Sequence, residues 1–271
     1  MLEWPPVTVS ARARRLVIRP ARSLLGRLGY EVVRTACAPA PLPPDCDEFT
    51  ASVIERVRPY TLTSVERIMG LVEAVRYLVS ADVPGDMVEC GVWRGGSMMV
   101  VALTLVDLGA TDRHLHLFDT FTRTPDPGDE DVTTSGVRAA DIIEELRTAE
   151  VFRYLPMAEV ERLLQDTGYP AERLHFVPGL VEATIPSAAP DAIALCRLDT
   201  DWYASTAHEL EHLWPRMTPG GVLVIDDYGD FRGARKAVDE YLAAQDERVL
   251  LHRMDHTGRL VLKPSAAPDR R

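Results

Sequence analysis

Short apolar runs recur along this chain with helical patterns between them, and that alternation restricts it to a sheet wrapped by helices. DMVECGV (86–92), HLHLFDT (114–120), LHFVPG (174–179), AIALCRLD (192–199), GVLVIDD (221–227), VLLHRM (249–254) and RLVLK (259–263) read as strands. Helical periodicity fills 48–58, 64–80, 96–108, 205–216 and 232–245, with Ser64 as N-cap of the second. Strands alternating with helices predict βαβ units, hence an α/β fold with a mostly parallel sheet. Asp255-His-Thr-Gly258 lies between the last two runs like a hairpin turn, which places an antiparallel strand at one edge.

Two of these strands end in acid. Asp199 and Asp201 close AIALCRLDTD, and Asp226 and Asp227 close GGVLVIDD. Crowded carboxylates repel one another, so the cluster calls for a raised pKa or a cation. A hard, oxygen-preferring divalent ion such as Mg²⁺ meets that need. Alternate strand residues share a face, so Asp199 and Asp201 point into one pocket if the extended geometry lasts that far. The adjacent Asp226 and Asp227 converge only if the chain is already turning, which Tyr228-Gly229 permits. The resulting assignment is Asp199, Asp226 and Asp227 as metal ligands and Asp201 as general base for a hydroxyl nucleophile. Asp201 is also placed to cap the following helix. His208 and His212, one helical turn apart, have zinc-compatible spacing without a third ligand nearby, which favours packing.

The first strand runs through Glu89-Cys-Gly91-Val-Trp-Arg-Gly95-Gly96-Ser97 into a helix. Its glycines allow a tight turn, and the helix start presents free N–H groups to a ligand. Trp93 occupies the second-glycine position of a dinucleotide fingerprint, which disfavours a pyrophosphate. Asp119 ends the second strand, where a carboxylate either accepts ribose hydroxyls or caps the turn Thr120-Phe-Thr. A nucleotide-dependent oxidoreductase is compatible with the loop and Asp119, but the chain has no Tyr-x-x-x-Lys pair.

A net charge of −11 excludes a nucleic-acid surface. Cys37, Cys46, Cys90 and Cys196 form no CxxC pair and read as reduced thiols. With no signal peptide and no transmembrane-length apolar run, the expectation is a cytoplasmic protein. Residues 1–45 form a basic helical pattern and the Pro-rich linker Ala38–Pro44, ahead of a folded domain over 46–271. That basic helix would dock on the domain or a partner subunit, or lie on a membrane surface. Residues 121–170 break the strand–helix rhythm with an acidic, turn-rich stretch and two helical patterns (138–148 and 157–166), a lid-like insertion at the ligand end of the sheet.

PYTLTSVERIMGLVEAVRYL, VPGDMVECGVWRGGS, LFDTF, FVPGLVEATIP, RLDTDWYAST, TPGGVLVIDDYGD and ARKAVDEYL together resemble the macrocin-type sugar O-methyltransferases of bacterial natural-product pathways, over about 55–250. The resemblance implies a class I methyltransferase fold with a seven-stranded sheet, S-adenosylmethionine and Mg²⁺ as cofactors, and a homodimer or higher homo-oligomer. It implies methyl transfer to a hydroxyl of a glycoside, usually a deoxysugar; a cell-surface glycan or a phenol is the alternative acceptor. A methyltransferase-fold subunit that binds without catalysis is the non-enzymatic alternative. By motif match, Glu89, Gly91, Val92, Gly95, Gly96, Ser97, Asp119, Thr120 and Asp199 fall on the family's cofactor site. Thr61, Thr63 and Ser64 fall on the segment that closes over it. The metal ligands and base coincide with Asp199, Asp226, Asp227 and Asp201. The chain departs in LDTDWY, where relatives tend to have LDGDLY, in Gly179-Leu180-Val181 for an aromatic Gly-Trp-Phe, and in the lid stretch Thr122–Gly136. All three border the acceptor pocket.

Overall fold

Residues 42–246 and 248–264 are described by the structure, a computed structural model. The basic helix expected within 1–45, most of its linker and Cys37 lie outside them. The elements in chain order are α1 (Glu48–Val57), α2 (Val65–Ser80), β1 (Asp86–Cys90), α3 (Gly96–Asp107), β2 (Leu115–Asp119), α4 (Ile143–Thr148), α5 (Met157–Gln165), β3 (Leu174–Pro178), α6 (Val181–Thr184), β4 (Ile193–Leu198), α7 (Tyr203–Leu213), β5 (Met217–Ile225), α8 (Arg232–Ala243), β6 (His252–Arg253) and β7 (Arg259–Leu262).

The strands form one seven-stranded sheet in the order β3-β2-β1-β4-β5-β7-β6. β1 to β5 run parallel; β7 is antiparallel to β5, and β6 to β7. Parallel strands covered on both faces read as near-continuous apolar runs, and all six residues of β4 are buried. Alternate side chains feed two cores. Met87, Leu115, Leu195, Val222 and Val224 pack against α1, α2, α3 and α5. Val88, Phe118, Cys196, Leu223 and Ile225 pack against α6, α7 and α8. In α2, Ile68, Leu71, Val72, Val75 and Leu78 are buried at helical spacing behind the Ser64 cap. The chain order reverses between β1 and β4, and in such sheets ligands bind beyond the carboxyl ends of the strands at that point.

Some elements differ from the sequence expectation. β5 starts four residues early because Met217 pairs with Ile193, and it stops at Ile225 because Asp226 turns away. The strand expected over 249–254 shrinks to His252–Arg253, since it pairs with β7 on one side only. α6 is a single turn with too few residues to show periodicity. The hairpin turn forms as expected: Asp255 Oδ1 accepts from Thr257 and Gly258 N–H at 2.9 and 2.7 Å. The helical lid pattern over 138–148 splits into a 3₁₀ turn and α4.

At the opposite end of the sheet, His116 and His175 are register partners with stacked rings. His114 Nδ1 lies 2.6 Å from His175 Nε2, and Asp86 Oδ2 lies 3.1 Å from His116 Nε2. Burial, then His116 and His114, lower the His175 pKa from its ordinary 6.5. The native state thus favours neutral His175, lending stability above about pH 6.5 that is lost as pH falls through the lowered native value. In urea unfolding from about pH 7.5 to 5.5, His175→Gln should lose less stability than the wild type. Equal losses would remove His175 from the account.

Candidate active site

The ligand-capable oxygens of Asp199, Asp226 and Asp227 lie within 4.8 Å of one another at the carboxyl ends of β4 and β5. Backbone bonds set their positions. Asp199 N–H donates to Cys90 O at 2.8 Å and Asp226 N–H to Leu198 O at 2.9 Å. Asp226 has helical dihedrals and leads into a 3₁₀ turn over Asp227–Gly229, so two adjacent aspartates converge. Gly229 is required there, because a Cβ would come within 2.6 Å of Thr257 Cα in the hairpin turn. Asp201 arrives by a different route from strand alternation. β4 ends at Leu198, and Asp201 takes φ +67, a left-handed conformation that aspartate tolerates better than most residues. Its N–H donates to Asp227 Oδ2 at 3.0 Å.

Two arginines enter the cluster, and the reasoning from aspartates alone missed them. Arg197, buried on β4, donates from Nη1 to Glu89 Oε1 (2.8 Å) and Asp199 Oδ2 (2.6 Å). Its Nη2 reaches Asp226 Oδ1 (2.5 Å) and Thr63 Oγ1 (3.2 Å). Arg67, from the first turn of α2, pairs with Asp226 Oδ2, and its Nε pairs with Asp255 Oδ2 at 2.9 Å. The signal was in the sequence: Arg197 stands two residues before Asp199 and so shares its face.

The resulting electrostatics are uneven. Burial tends to raise Asp226, yet Arg197 and Arg67 hold it below its ordinary value. Burial lifts Asp199 to about 7 against the pull of Arg197. Burial and then Asp199 raise Asp201; burial and then Asp201 raise Asp227. The arginines thus outweigh burial at Asp226, Arg197 offsets it only in part at Asp199, and Asp201 and Asp227 remain crowded. An all-carboxylate oxygen set of this kind fits a hard divalent cation.

The glycine turn abuts this cluster. Gly91 has φ +84, and a Cβ on it would lie 1.9 Å from the Asp199 carbonyl oxygen. Its glycine therefore serves strand-to-strand approach as well as any ligand. Gly95 caps α3 in the left-handed region, and Gly96 packs against Tyr60 and Thr61, where a Cβ would sit 2.5 Å from Tyr60 O. Ser97 is buried in the first turn of α3. Asp119 Oδ2 accepts from Val92 and Trp93 N–H at 2.6 and 2.8 Å, while Oδ1 accepts from Phe121 N–H at 2.7 Å. It therefore caps its own turn and ties β2 to the glycine turn. Thr120 Oγ1 donates to Arg123 O at 2.8 Å.

The three residues before α2 separate. Thr63 Oγ1 joins Arg197 and the acidic cluster. Thr61 Oγ1 accepts from Thr63 N–H at 3.1 Å beside the glycine turn. Ser64 caps α2 and donates to Asp255 Oδ2 at 2.6 Å, facing the hairpin turn. His208 Nε2 lies 3.0 Å from Ile185 O, a packing arrangement.

The 121–170 insertion folds over this end of the sheet. Buried Asp131 accepts from Gly128 and Tyr203 N–H at 2.7 and 2.8 Å, pinning the insertion to the start of α7. Trp202 Nε1 donates to Pro125 O at 3.2 Å and packs edge-on to Phe231. Arg94, stacked on Trp93, donates from Nε to Arg153 O at 2.8 Å, so the insertion also grips the glycine turn. A cavity of about 150 Å³ within the insertion is lined by residues including Thr124, Arg147, Phe152 and Tyr154. The Tyr154 phenol is held protonated by burial and then by Asp119. Among the described residues, positive φ off glycine occurs at Asp82, Trp93, Phe121 and Asp201, and the last three border the site.

A sheet of this order, with a glycine turn after β1 and an acid after β2, is the architecture of class I methyltransferases. The structure of the O-methyltransferase NovP superposes with a TM-score of 0.67 at 30% identity, covering 76% of this chain and 83% of that one. CalS11, a calicheamicin methyltransferase, shares the fold with a TM-score of 0.60 at 20% identity, covering 94% of each chain. In sequence, a tetracenomycin rhamnosyl 4'-O-methyltransferase of Streptomyces olivaceus is 32% identical, covering 73% of this chain and 74% of its own. Demethyldecarbamoylnovobiocin O-methyltransferase of Streptomyces niveus is 31% identical over the same shares. Residues 55–262 match the macrocin-O-methyltransferase (TylF) family, and the chain belongs to it. It is an O-methyltransferase.

Gly91→Ala combines left-handed strain with a backbone clash on Asp199. It should cost about 2–4 kcal/mol and lower the melting temperature by roughly 5–15 °C in calorimetry. A melting point within a degree or so of wild type would show that β1 and β4 do not need this contact.

Proposed function

We propose that the chain moves a methyl group from S-adenosylmethionine to a sugar hydroxyl of a natural-product glycoside, with Mg²⁺ bound by Asp199, Asp226 and Asp227. The observation that carries this reading is the contact of Gly91 with Asp199, which sets a cofactor-type turn directly against a carboxylate cluster. The named activities of similar proteins, a rhamnosyl-tetracenomycin 4'-O-methyltransferase, a demethyldecarbamoylnovobiocin O-methyltransferase and a mycinamicin III 3''-O-methyltransferase, support the acceptor class.

When bound, the donor supplies an electrophilic methyl and the ion supplies Lewis acidity toward the acceptor oxygen. The chain's own residues do the rest. Asp119, held by the Val92 and Trp93 amides, keeps acceptor capacity on Oδ1 for a ribose hydroxyl. Asp201 lies outside the ligand set, and its carboxylate takes the proton of the acceptor hydroxyl. The Asp227 contact to its N–H holds that base in place. The docked insertion, through Trp202 and Tyr154, excludes water from the space between. The basic N-terminal segment and self-association are proposed as accessory to this activity. Among the described residues no helix is long and apolar enough to cross a membrane.

Two outcomes follow. Asp201→Asn should lower kcat by about 10²–10⁴-fold while S-adenosylhomocysteine affinity stays within about twofold; unchanged turnover would remove the base. EDTA should abolish methyl transfer and Mg²⁺ restore it, with Asp199→Ala inactive in both conditions; activity persisting in EDTA would end the metal assignment.

A further inference from the structure

Arg197 touches both halves of the site. The β1–β4 register pairs Glu89 with Arg197, and alternation puts both on the face shared with Asp199. Nη1 is divided between Glu89 on the cofactor side and Asp199 on the metal side, while Nη2 serves Asp226 and Thr63. Glu89 itself is only half-satisfied: its Oε2 is buried without a hydrogen-bond partner. A buried, unpaired carboxylate oxygen is costly, and a guanidinium is built to serve both oxygens of a carboxylate at once.

We propose that Arg197 is a positioning residue that couples the ion to the cofactor, an inference that rests on the two sites proposed above. Arg197 and a divalent ion draw on the same oxygens of Asp199 and Asp226. Binding of the ion withdraws those acceptors, and the released guanidinium N–H groups turn to Glu89, where Oε2 completes a two-point fork. Glu89 is two residues before Gly91, and the next two amides, of Val92 and Trp93, hold Asp119. Fixing Glu89 therefore fixes the turn and the acid that receive the cofactor. Such coupling is reciprocal: the cofactor tightens the ion by the same factor. A lysine at 197 keeps the charge without the fork.

The test is calorimetric titration of S-adenosylhomocysteine, which cannot turn over, into the full chain with and without saturating Mg²⁺. In the wild type Mg²⁺ should lower the Kd by about fivefold or more. In Arg197→Lys, each ligand still binds but that ratio falls to within about twofold of one. Glu89→Gln retains shape and Arg197 but replaces one acceptor oxygen with an NH₂ donor, so the two-point fork cannot form and the ratio should fall too; it carries the test if circular dichroism shows Arg197→Lys unfolded. A merely structural arginine would leave the ratio intact in both variants, and that result overturns the proposal. A wild type that binds each ligand with no coupling also overturns it while leaving the two sites standing. A wild type that binds neither ligand overturns the sites and the coupling together.

Discussion

The charge arrangement around Arg197 is the constraint on which the rest of the structure depends. A buried guanidinium is tolerable only if its N–H groups meet acceptors, and here Glu89, Asp199, Asp226 and Thr63 surround it. Those partners come from β1, the ends of β4 and β5, and the segment before α2. Holding them on one cation fixes the relative heights of three strands at the end of the sheet where ligands bind. Arg67 extends the same network to the β6–β7 hairpin turn through Asp255.

Close backbone approach is the second determinant. Gly91 lies against Asp199, Gly96 against Tyr60, and Gly229 against Thr257, so the turns after β1 and β5 are packed rather than merely adjacent. The left-handed residues Trp93, Phe121 and Asp201 concentrate strain around the same space. Strain of this kind persists only where the surroundings over-determine it, as the docked insertion does through Asp131 and Arg94.

Much of this was legible in the sequence because it depends on short-range periodicity. Short, largely apolar runs marked β1, β2, β4 and β5, and helical spacing behind Ser64 marked α2. The convergence of Asp226 and Asp227 followed from the turn-forming Tyr228-Gly229. What stayed hidden depends on register and long-range packing. Nothing local in Glu89 or Arg197 announces that β1 and β4 will place them side by side. Asp201 reached the site through a left-handed turn, not through strand alternation. Asp119 caps its own turn, one of the two readings its position allowed, and the amides of Val92 and Trp93 that also reach it come from the turn after β1, a contact no local pattern announces.

The central claim is that the carboxylates after β4 and β5 form one divalent-ion site. Electron paramagnetic resonance with Mn²⁺ in place of Mg²⁺ measures this directly. The account predicts about one tightly held ion per chain in the wild type, lost in Asp227→Asn, a variant close to isosteric that removes a ligand charge. Absence of specific Mn²⁺ binding to the folded wild type, or full retention in that variant, would contradict it.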